Sequence, residues 1–160
     1  MDTQELLEQL HVAFPAECID GNTAFAQWGR TYLDASEVAR AIDGKTWQQV
    51  DHPFLVLRHD ALGFLSTREL VQLLPVYLRS VVEEGLRSPA LDSLLVELTR
   101  PKREPALGRF DALVATLTAS QREVIAAVLE WISEMDPHGS PGNAARAALG
   151  ATWKPRDVHA

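Results

Sequence analysis

The chain has 160 residues, enough for one ordinary domain that buries roughly 70% of the surface its unfolded form exposes. Hydrophobic residues make up 46% of it and charged residues 23%, the proportions of an ordered globular protein. The formal net charge of -7 works against non-specific binding to nucleic acid or to an anionic membrane, because both need a basic surface. A partner selected by electrostatics should therefore be basic.

The cysteine content and the length of the apolar runs indicate which cellular compartment suits the chain. Cys18 is the only cysteine, so the chain can form no internal disulfide and no thiolate zinc site. Asp2, Glu5 and Glu8 make the N-terminal segment unlike a secretion signal. The longest apolar runs, such as residues 124–129, fall far short of the roughly 20 residues that a membrane-spanning helix needs. We expect a soluble protein in the reducing cytoplasm.

The first predicted helix has a clear start and end. Apolar residues from Leu6 to Phe14 recur at helical spacing, Asp2 or Thr3 can cap the N-terminus, and Pro15 ends the helix. An irregular segment follows, and its aromatic residues are spaced three or four positions apart. We expect them to fix a loop or short helix onto the core; they are Phe25, Trp28 and Tyr32.

Two short elements are predicted next. A second helix should run from Ser36 to Ile42, starting at Asp34. After a short turn that begins at Trp47, Pro53 opens an apolar run that suits either a helix or a brief strand. No second strand-like segment exists to pair with this run, which favours the helix.

The strongest helix signal begins at Ser66, with Glu69 three positions later in the pattern of a capping box. Pro75 lies inside the apolar stripe, so we expect a kink there or two abutting helices. The stripe predicts a buried face of Leu70, Leu73, Leu74, Tyr77, Val81 and Val82. The residues predicted to face water are Arg68, Glu69, Gln72, Arg79, Glu83 and Glu84.

In the C-terminal part of the sequence, predicted helices alternate with segments that end a helix. Ser88 and Pro89 open a helix, and Arg100 to Arg109 is a predicted connector with two prolines and several basic residues. A short helical stretch from Phe110 to Leu117 follows it. Thr118 with Gln121 then forms a second capping box signal. A last helix is predicted from Pro141 to Leu149, after which Trp153 returns to the body.

These patterns predict an all-α fold, an irregular single-domain bundle of about six to eight short helices with one kinked at Pro75. Residues 1–153 should form the domain and residues 154–160 a loose C-terminal tail. Large aromatic residues are expected to anchor the packing. They are Tyr77, Trp28, Trp47, Trp131 and Trp153.

Several of these segments together resemble a bacterial family of unknown function, numbered 6714. Ala61–Leu70 and Leu73–Leu78 are similar to its Ala-Leu-x-Phe-Leu-Thr-Pro-Glu-Ala-Phe and Tyr-Leu-Pro-Ala-Tyr-Leu segments. Further similarities follow in the same order along the chain: Gly44–Trp47, Leu117–Gln121, Leu129–Ile132, Ala148-Leu149 and Trp153. The chain departs from the family at Val71 and Leu73, where the family prefers aromatic residues. The resemblance implies a bacterial, helical, single-domain protein and brings no activity, cofactor or partner.

Two mirrored pairs, Asp51-His52 and His59-Asp60, could hold a metal ion, because imidazoles and carboxylates are suitable ligands. On one continuous helix the two imidazoles would lie about 10 Å apart, too far to share an ion without a bend. The alternative, which we favour, is that the four residues are caps and turn residues around Pro53.

Other reactive arrangements are weaker. Cys18 could act as a nucleophile only if His11 or another histidine approached it, and its acidic neighbours disfavour that role. A basic connector could grip a phosphate or an acidic partner, but Glu104 interrupts it and a solvated linker is favoured. Its basic residues are Arg100, Lys102, Arg103 and Arg109.

Motifs for catalysis are absent from the sequence. Paired acids such as Glu83 with Glu84, or Asp92 with Glu97, have no inferable apolar pocket that would make one of them a general acid. We find no phosphate-binding loop, nucleophile elbow, paired-histidine zinc helix or dinucleotide fingerprint. No residue is therefore assigned a catalytic, cofactor-binding or metal-binding role, and the pattern favours a protein that is not an enzyme.

The leading hypothesis is a non-catalytic, cytosolic bacterial protein that binds another, basic protein. One concrete version is an immunity-type or antagonist protein that covers the surface of a basic toxin. A contiguous acidic patch beside exposed apolar residues would support it. The alternative is a small enzyme or metal-binding protein using Asp51, His52, His59 and Asp60. Nucleic-acid binding through the basic connector ranks last.

Overall fold

The computed structural model describes residues 1–25 and 34–154, so Trp28, Tyr32 and the predicted tail beyond Lys154 lie outside the described residues. Eight α-helices form within this part of the chain, which confirms the all-α class. They are α1 (Thr3–Ala13), α2 (Ala35–Ile42), α3 (His52–Arg58), α4 (Thr67–Glu84), α5 (Leu91–Leu98), α6 (Ala106–Thr116), α7 (Ala119–Met135) and α8 (Ser140–Ala148). The sole extended pairing in residues 1–25 and 34–154 is one antiparallel bridge, between Phe25 and Leu65.

Three of the predicted helix starts are closed by side-chain caps. Asp2 accepts a hydrogen bond from the Glu5 backbone N–H at the start of α1, at 2.8 Å. Asp51 accepts one from Phe54 at the start of α3, at 3.3 Å. Thr118 closes the predicted capping box of α7. These caps satisfy backbone donors that a helix leaves open in its first turn, which explains why the helices begin at these residues.

The capping box predicted at Ser66 is wrong, although α4 does begin there. The Ser66 side chain makes no capping hydrogen bond. Glu69 was also expected to face water, yet it is only 2% exposed and accepts a hydrogen bond of 2.8 Å from the Thr23 hydroxyl. The segment that carries Thr23 packs over this helix start, where the Ser66 N–H donates to the Ala24 carbonyl. A carboxylate buried there needs a hydrogen-bond donor, and Thr23 supplies one.

Helix α4 is the centre of the domain. Its predicted face is buried as a whole, and α1, α5, α6 and α7 all pack against it. It runs as one helix through Pro75, so the alternative of two abutting helices is wrong, and the kink stays a prediction. Tyr77 is fully buried and donates a hydrogen bond of 2.8 Å to the Arg58 carbonyl, which fixes the end of α3 against α4.

The predicted connector is shorter than the sequence suggests. Helix α6 begins at Ala106 rather than at Phe110, with Pro105 at the position before its first turn. Proline is tolerated at a helix start because the N–H it lacks has no partner there. Arg109 is therefore a helical residue, and its side chain has a fixed direction relative to α5 and the core.

Trp153 returns to the body as predicted, through a turn that the periodicity does not indicate. After α8 the chain forms one π-helical turn, Leu149–Trp153, closed by a 2.8 Å hydrogen bond from the Lys154 N–H to the Leu149 carbonyl. Trp153 is 5% exposed and donates from Nε1 to the Leu98 carbonyl at 2.8 Å. Its ring also meets Phe110 edge to face, with centroids 6.1 Å apart.

No individual helix among the described residues has both the length and the apolar composition needed to cross a membrane. The consecutive helices α6 and α7 pass that test only as a pair, and they are bent by 116° relative to each other. Apolar residues of both helices are buried in the core of the domain, including Phe110, Leu113, Val124 and Leu129.

Candidate functional site

The four residues of the predicted metal site make separate contacts in the structure. Asp51 caps α3, and His52 approaches Glu84 on α4, with 2.9 Å between Nδ1 and Oε1. His59 and Asp60 follow the end of α3 and line a different cleft. Across residues 1–25 and 34–154, no three histidine, cysteine, aspartate or glutamate side chains are grouped so that they could hold a metal ion. The structure does not bring the four residues together as ligands.

No hydrogen bond among the described residues joins Cys18 to His11, so the structure does not show them as a reactive pair. Cys18 is exposed, and His11 lies over the buried Trp47, with ring centroids 4.8 Å apart. Arg79 also lies over the Trp47 ring, 5.4 Å from the centroid. Trp47 Nε1 donates to the Phe14 carbonyl at 2.8 Å, so these side chains hold the end of α1 to the body.

The basic connector does not act as one cluster. Arg109 points inward, where its guanidinium donates to Glu97 at 2.7 Å and to the Leu62 and Leu65 carbonyls. Arg100 pairs with Asp111 at 2.7 Å. The four basic residues of the connector therefore cannot bind one phosphate together, because the Arg109 side chain is hydrogen-bonded inside the protein.

We refer to Arg109, Glu97 and the carbonyls of Leu62 and Leu65 as the Arg109 latch. It joins α6 to the neighbouring helix α5 and to the turn before α4, where the Leu62 carbonyl lies 47 positions from Arg109 in the sequence. Both charged side chains are largely shielded from solvent, at 21% exposure for Arg109 and 11% for Glu97. The fork of a guanidinium suits several acceptors at once, which makes arginine rather than lysine the residue for this position.

The Arg109 latch contributes one residue, Glu97, to the wall of an open cleft. The cleft has a volume of about 550 Å³ and lies between α5 and the turn after α3. We call it the acidic cleft, because every charged side chain that lines it is a carboxylate apart from the histidine at its edge. Its principal lining residues are His59, Asp60, Pro89, Asp92, Val96 and Glu97. Val96 is 71% exposed, so an apolar side chain stands open beside the carboxylates.

A second opening lies on the C-terminal side of the molecule. It is a cleft of about 790 Å³ between α7, the π-helical turn and the end of α6, and we call it the C-terminal groove. Its walls are mainly apolar, with small residues on the α7 side. The residues that form these walls are Val114, Ala126, Ala127, Leu149, Thr152 and Trp153. A volume of this size is typical of sites for small organic ligands.

The two openings differ in electrostatic surroundings. All of the net negative charge lies in residues 1–98, because basic residues slightly outnumber acidic ones in residues 99–160. The acidic cleft belongs to the first part and the C-terminal groove to the second. Sequence reasoning gave the overall acidity but missed both clefts, since neither is formed by residues that are neighbours in the chain.

Comparison with known proteins gives one match. A family of unknown function, DUF6714, matches residues 6–157, nearly the whole chain. The chain belongs to the DUF6714 family. The resemblance seen in the sequence is thereby confirmed, and no curated protein or solved structure matches the chain.

The residues that resemble DUF6714 are mostly core residues in the structure. Leu65, Leu70 and Tyr77 are fully buried, and Trp47 and Trp153 are nearly so. The segment around Leu65 also supplies the carbonyls of the Arg109 latch. The motif thus accounts for the fold of this chain, whereas its two open clefts are lined largely by other residues.

Proposed function

We propose that this member of DUF6714 is a non-catalytic, cytoplasmic protein of bacteria that acts by binding a basic surface of another protein. The acidic cleft is the proposed contact site. A concrete version is an immunity-type or antagonist protein, which neutralises a basic toxin by covering its surface. The single observation that carries the proposal is the exposed Val96 beside the carboxylates of the acidic cleft.

The cleft combines the two contributions that a protein interface needs. Carboxylates such as Asp60 and Asp92 attract a basic partner and orient it during the encounter. Val96 offers apolar area that gains free energy when a partner removes it from water. The Arg109 latch holds Glu97 and the wall of the cleft in place, so less conformational entropy is lost on binding.

The alternative function, a small enzyme or metal-binding protein that uses Asp51, His52, His59 and Asp60, has less support. Asp51 is occupied as a helix cap and His52 faces Glu84. Metal analysis of the purified protein before and after His52→Ala and His59→Ala tests it. Stoichiometric metal that both substitutions remove would favour this alternative over protein binding.

Affinity purification with matched baits tests the proposal. We compare the native chain, Asp92→Lys and Glu134→Lys, the last of which reverses an exposed acid outside the acidic cleft. The native chain and Glu134→Lys should retain one stoichiometric partner with a basic contact surface, and Asp92→Lys should lose it. Circular dichroism of each bait controls for folding. A partner that all three baits retain equally, or no stoichiometric partner at all, contradicts the proposal.

A further inference from the structure

The C-terminal groove is a second candidate site, separate from the acidic cleft. Along α7 its lining runs from Ala119 to Glu130, a length of about 16 Å at 1.5 Å per residue. Ala126 and Ala127 lie between these ends, and they face Leu149 across the groove. The small side chains leave a long, shallow, apolar space, which fits a slender chain better than a compact ring system.

Charge is distributed unevenly along this space. Helices α7 and α8 are joined by a short loop, so they run antiparallel, and the turn after α8 lies beside the first half of α7. Arg122 lies in the first turn of α7 and Lys154 follows the π-helical turn, so this antiparallel course places both towards the end of the groove where α7 begins. Neither forms an ion pair with any residue of the described ranges. Arg100 lines the same groove and is paired with Asp111.

The acidic residues of the lining do not cancel this asymmetry. Glu130 lies at the far end of the α7 wall, three turns from the start of the helix. Glu123 is the acidic lining residue that accompanies Arg122 and Lys154, and Arg100 is already paired with Asp111. The helix N-terminus adds partial positive charge at the same end. One end of the groove thus favours an anion, and the remainder favours hydrocarbon.

A buried hydroxyl in the groove wall also lacks a partner. Thr152 Oγ1 is shielded from solvent and forms no hydrogen bond with residues 1–25 or 34–154. A buried polar atom without a partner costs free energy, which a ligand can recover by supplying one. Thr152 lies in the π-helical turn, two residues before Lys154, and so on the cationic side of the groove.

We propose that the C-terminal groove binds a single-chain aliphatic carboxylate. The carboxylate lies between Arg122 and Lys154, beside Thr152, and the chain extends along Ala126 and Ala127 towards Leu149. The groove length accommodates roughly twelve carbons, because each C–C bond of about 1.52 Å advances an extended zigzag chain by about 1.3 Å and twelve carbons therefore span about 14 Å. This inference does not depend on the proposed protein partner, because it uses none of the residues of the acidic cleft.

Isothermal titration calorimetry with submicellar dodecanoate tests the proposal. Dodecanoate should bind the full chain with a stoichiometry of one. Dodecanol, which lacks the charge, should bind about tenfold more weakly, the loss expected when charge-assisted hydrogen bonds are removed. Dodecyltrimethylammonium should bind more weakly still. Equal binding of the cationic and anionic amphiphiles, or no binding of dodecanoate, overturns the proposal.

Matched variants locate the site. Arg122→Glu combined with Lys154→Glu should weaken dodecanoate binding by about tenfold or more, whereas Arg103→Glu, outside the groove, should leave it within about twofold. Ala127→Phe fills the groove and should have the same effect as the charge reversal. Ala115→Phe places an equal ring on an exposed position outside the groove and should not. Binding that the groove variants leave unchanged assigns the dodecanoate to another surface and overturns the proposal.

Discussion

The terminal nitrogens of the Arg109 guanidinium and the Thr152 hydroxyl of the C-terminal groove are shielded polar groups that differ in their hydrogen bonds. At the latch, one guanidinium is held by a carboxylate and two backbone carbonyls, which join three segments of the chain. In the groove wall, the Thr152 hydroxyl is shielded from solvent and has no hydrogen bond within the described part of the chain, next to about 790 Å³ of open space. A polar group with partners stabilises the fold, whereas one without partners destabilises it or serves a ligand.

This difference separates stability from binding in the molecule. Substitutions at the latch should lower the free energy of unfolding, because they leave a shielded carboxylate and two carbonyls without their donor. Replacing the Thr152 hydroxyl in the groove wall should leave stability nearly unchanged and alter only what the protein binds.

The largest effect is expected for Arg109→Met, which keeps the aliphatic stem and removes the guanidinium. Glu97, only 11% exposed, then loses its ion partner. The free energy of unfolding should fall by about 3 kcal/mol, as for other shielded ion pairs that lose one member. Urea denaturation measures the change, with the exposed Arg103→Met as the control. Equal midpoints for the two variants would show that the latch is not structural.

Trp153→Phe should have the second-largest effect. It removes the indole N–H that donates to the Leu98 carbonyl and so leaves a buried acceptor without a donor. We expect a loss of about 2 kcal/mol in the free energy of unfolding. Trp131→Phe, at a half-buried position on α7, is the control and should cost less. The opposite order of the two variants in urea denaturation would contradict the assignment of Trp153 as the anchor of the π-helical turn.

The two helix starts with the same sequence signature should respond differently. Thr118→Ala removes a hydroxyl that accepts from the Gln121 N–H, and it should cost about 1 kcal/mol, a typical value for an N-cap. Ser66→Ala should cost less, because the Ser66 side chain makes no capping hydrogen bond. Thermal unfolding of both variants compares them directly. Equal losses would mean that Ser66 caps α4 in solution.

Thr152→Val should have the smallest effect on stability. Valine has nearly the same shape as threonine and removes the hydroxyl that has no partner, so the free energy of unfolding should stay the same or rise slightly. Urea denaturation gives the stability, and dodecanoate titration of the same variant gives the binding. A clear loss of stability would show that the hydroxyl does have a partner, and it would remove the contrast with the latch.

The sequence predicts the elements of this fold better than their long-range contacts. Helix caps such as Asp2 and Thr118 and the apolar stripe of α4 are local patterns, and the structure has them where the residues indicate. The local sequence places Glu69 on the solvent-facing side of α4 and Arg109 in a connector. Each of them is drawn inward by a distant hydrogen-bond partner, 46 positions away for Glu69 and 47 for Arg109. No local pattern distinguishes a solvated acid or arginine from one that is drawn inward by a distant hydroxyl or carbonyl.

The same limit applies to the candidate sites. The sequence gives the acidity, and it gives Asp51, Pro53 and Thr118 as helix-start residues. It does not indicate that Asp92 and Val96 of α5 meet Asp60 across a cleft, because the approach of two helices depends on how the whole core packs. The π-helical turn at Thr152 cannot be predicted from the sequence either, because its residues also suit an ordinary helix end.

Site-specific photocrosslinking in the native host can test the proposed binding of a basic partner through the acidic cleft. A photoreactive phenylalanine analogue replaces Val96 in the cleft or, as a matched control, Val12 on α1, which is 84% exposed. We predict one covalent adduct from position 96, with the crosslinked partner segment rich in lysine and arginine, and no such adduct from position 12. The same adducts from both positions, or none from position 96, would contradict the claim.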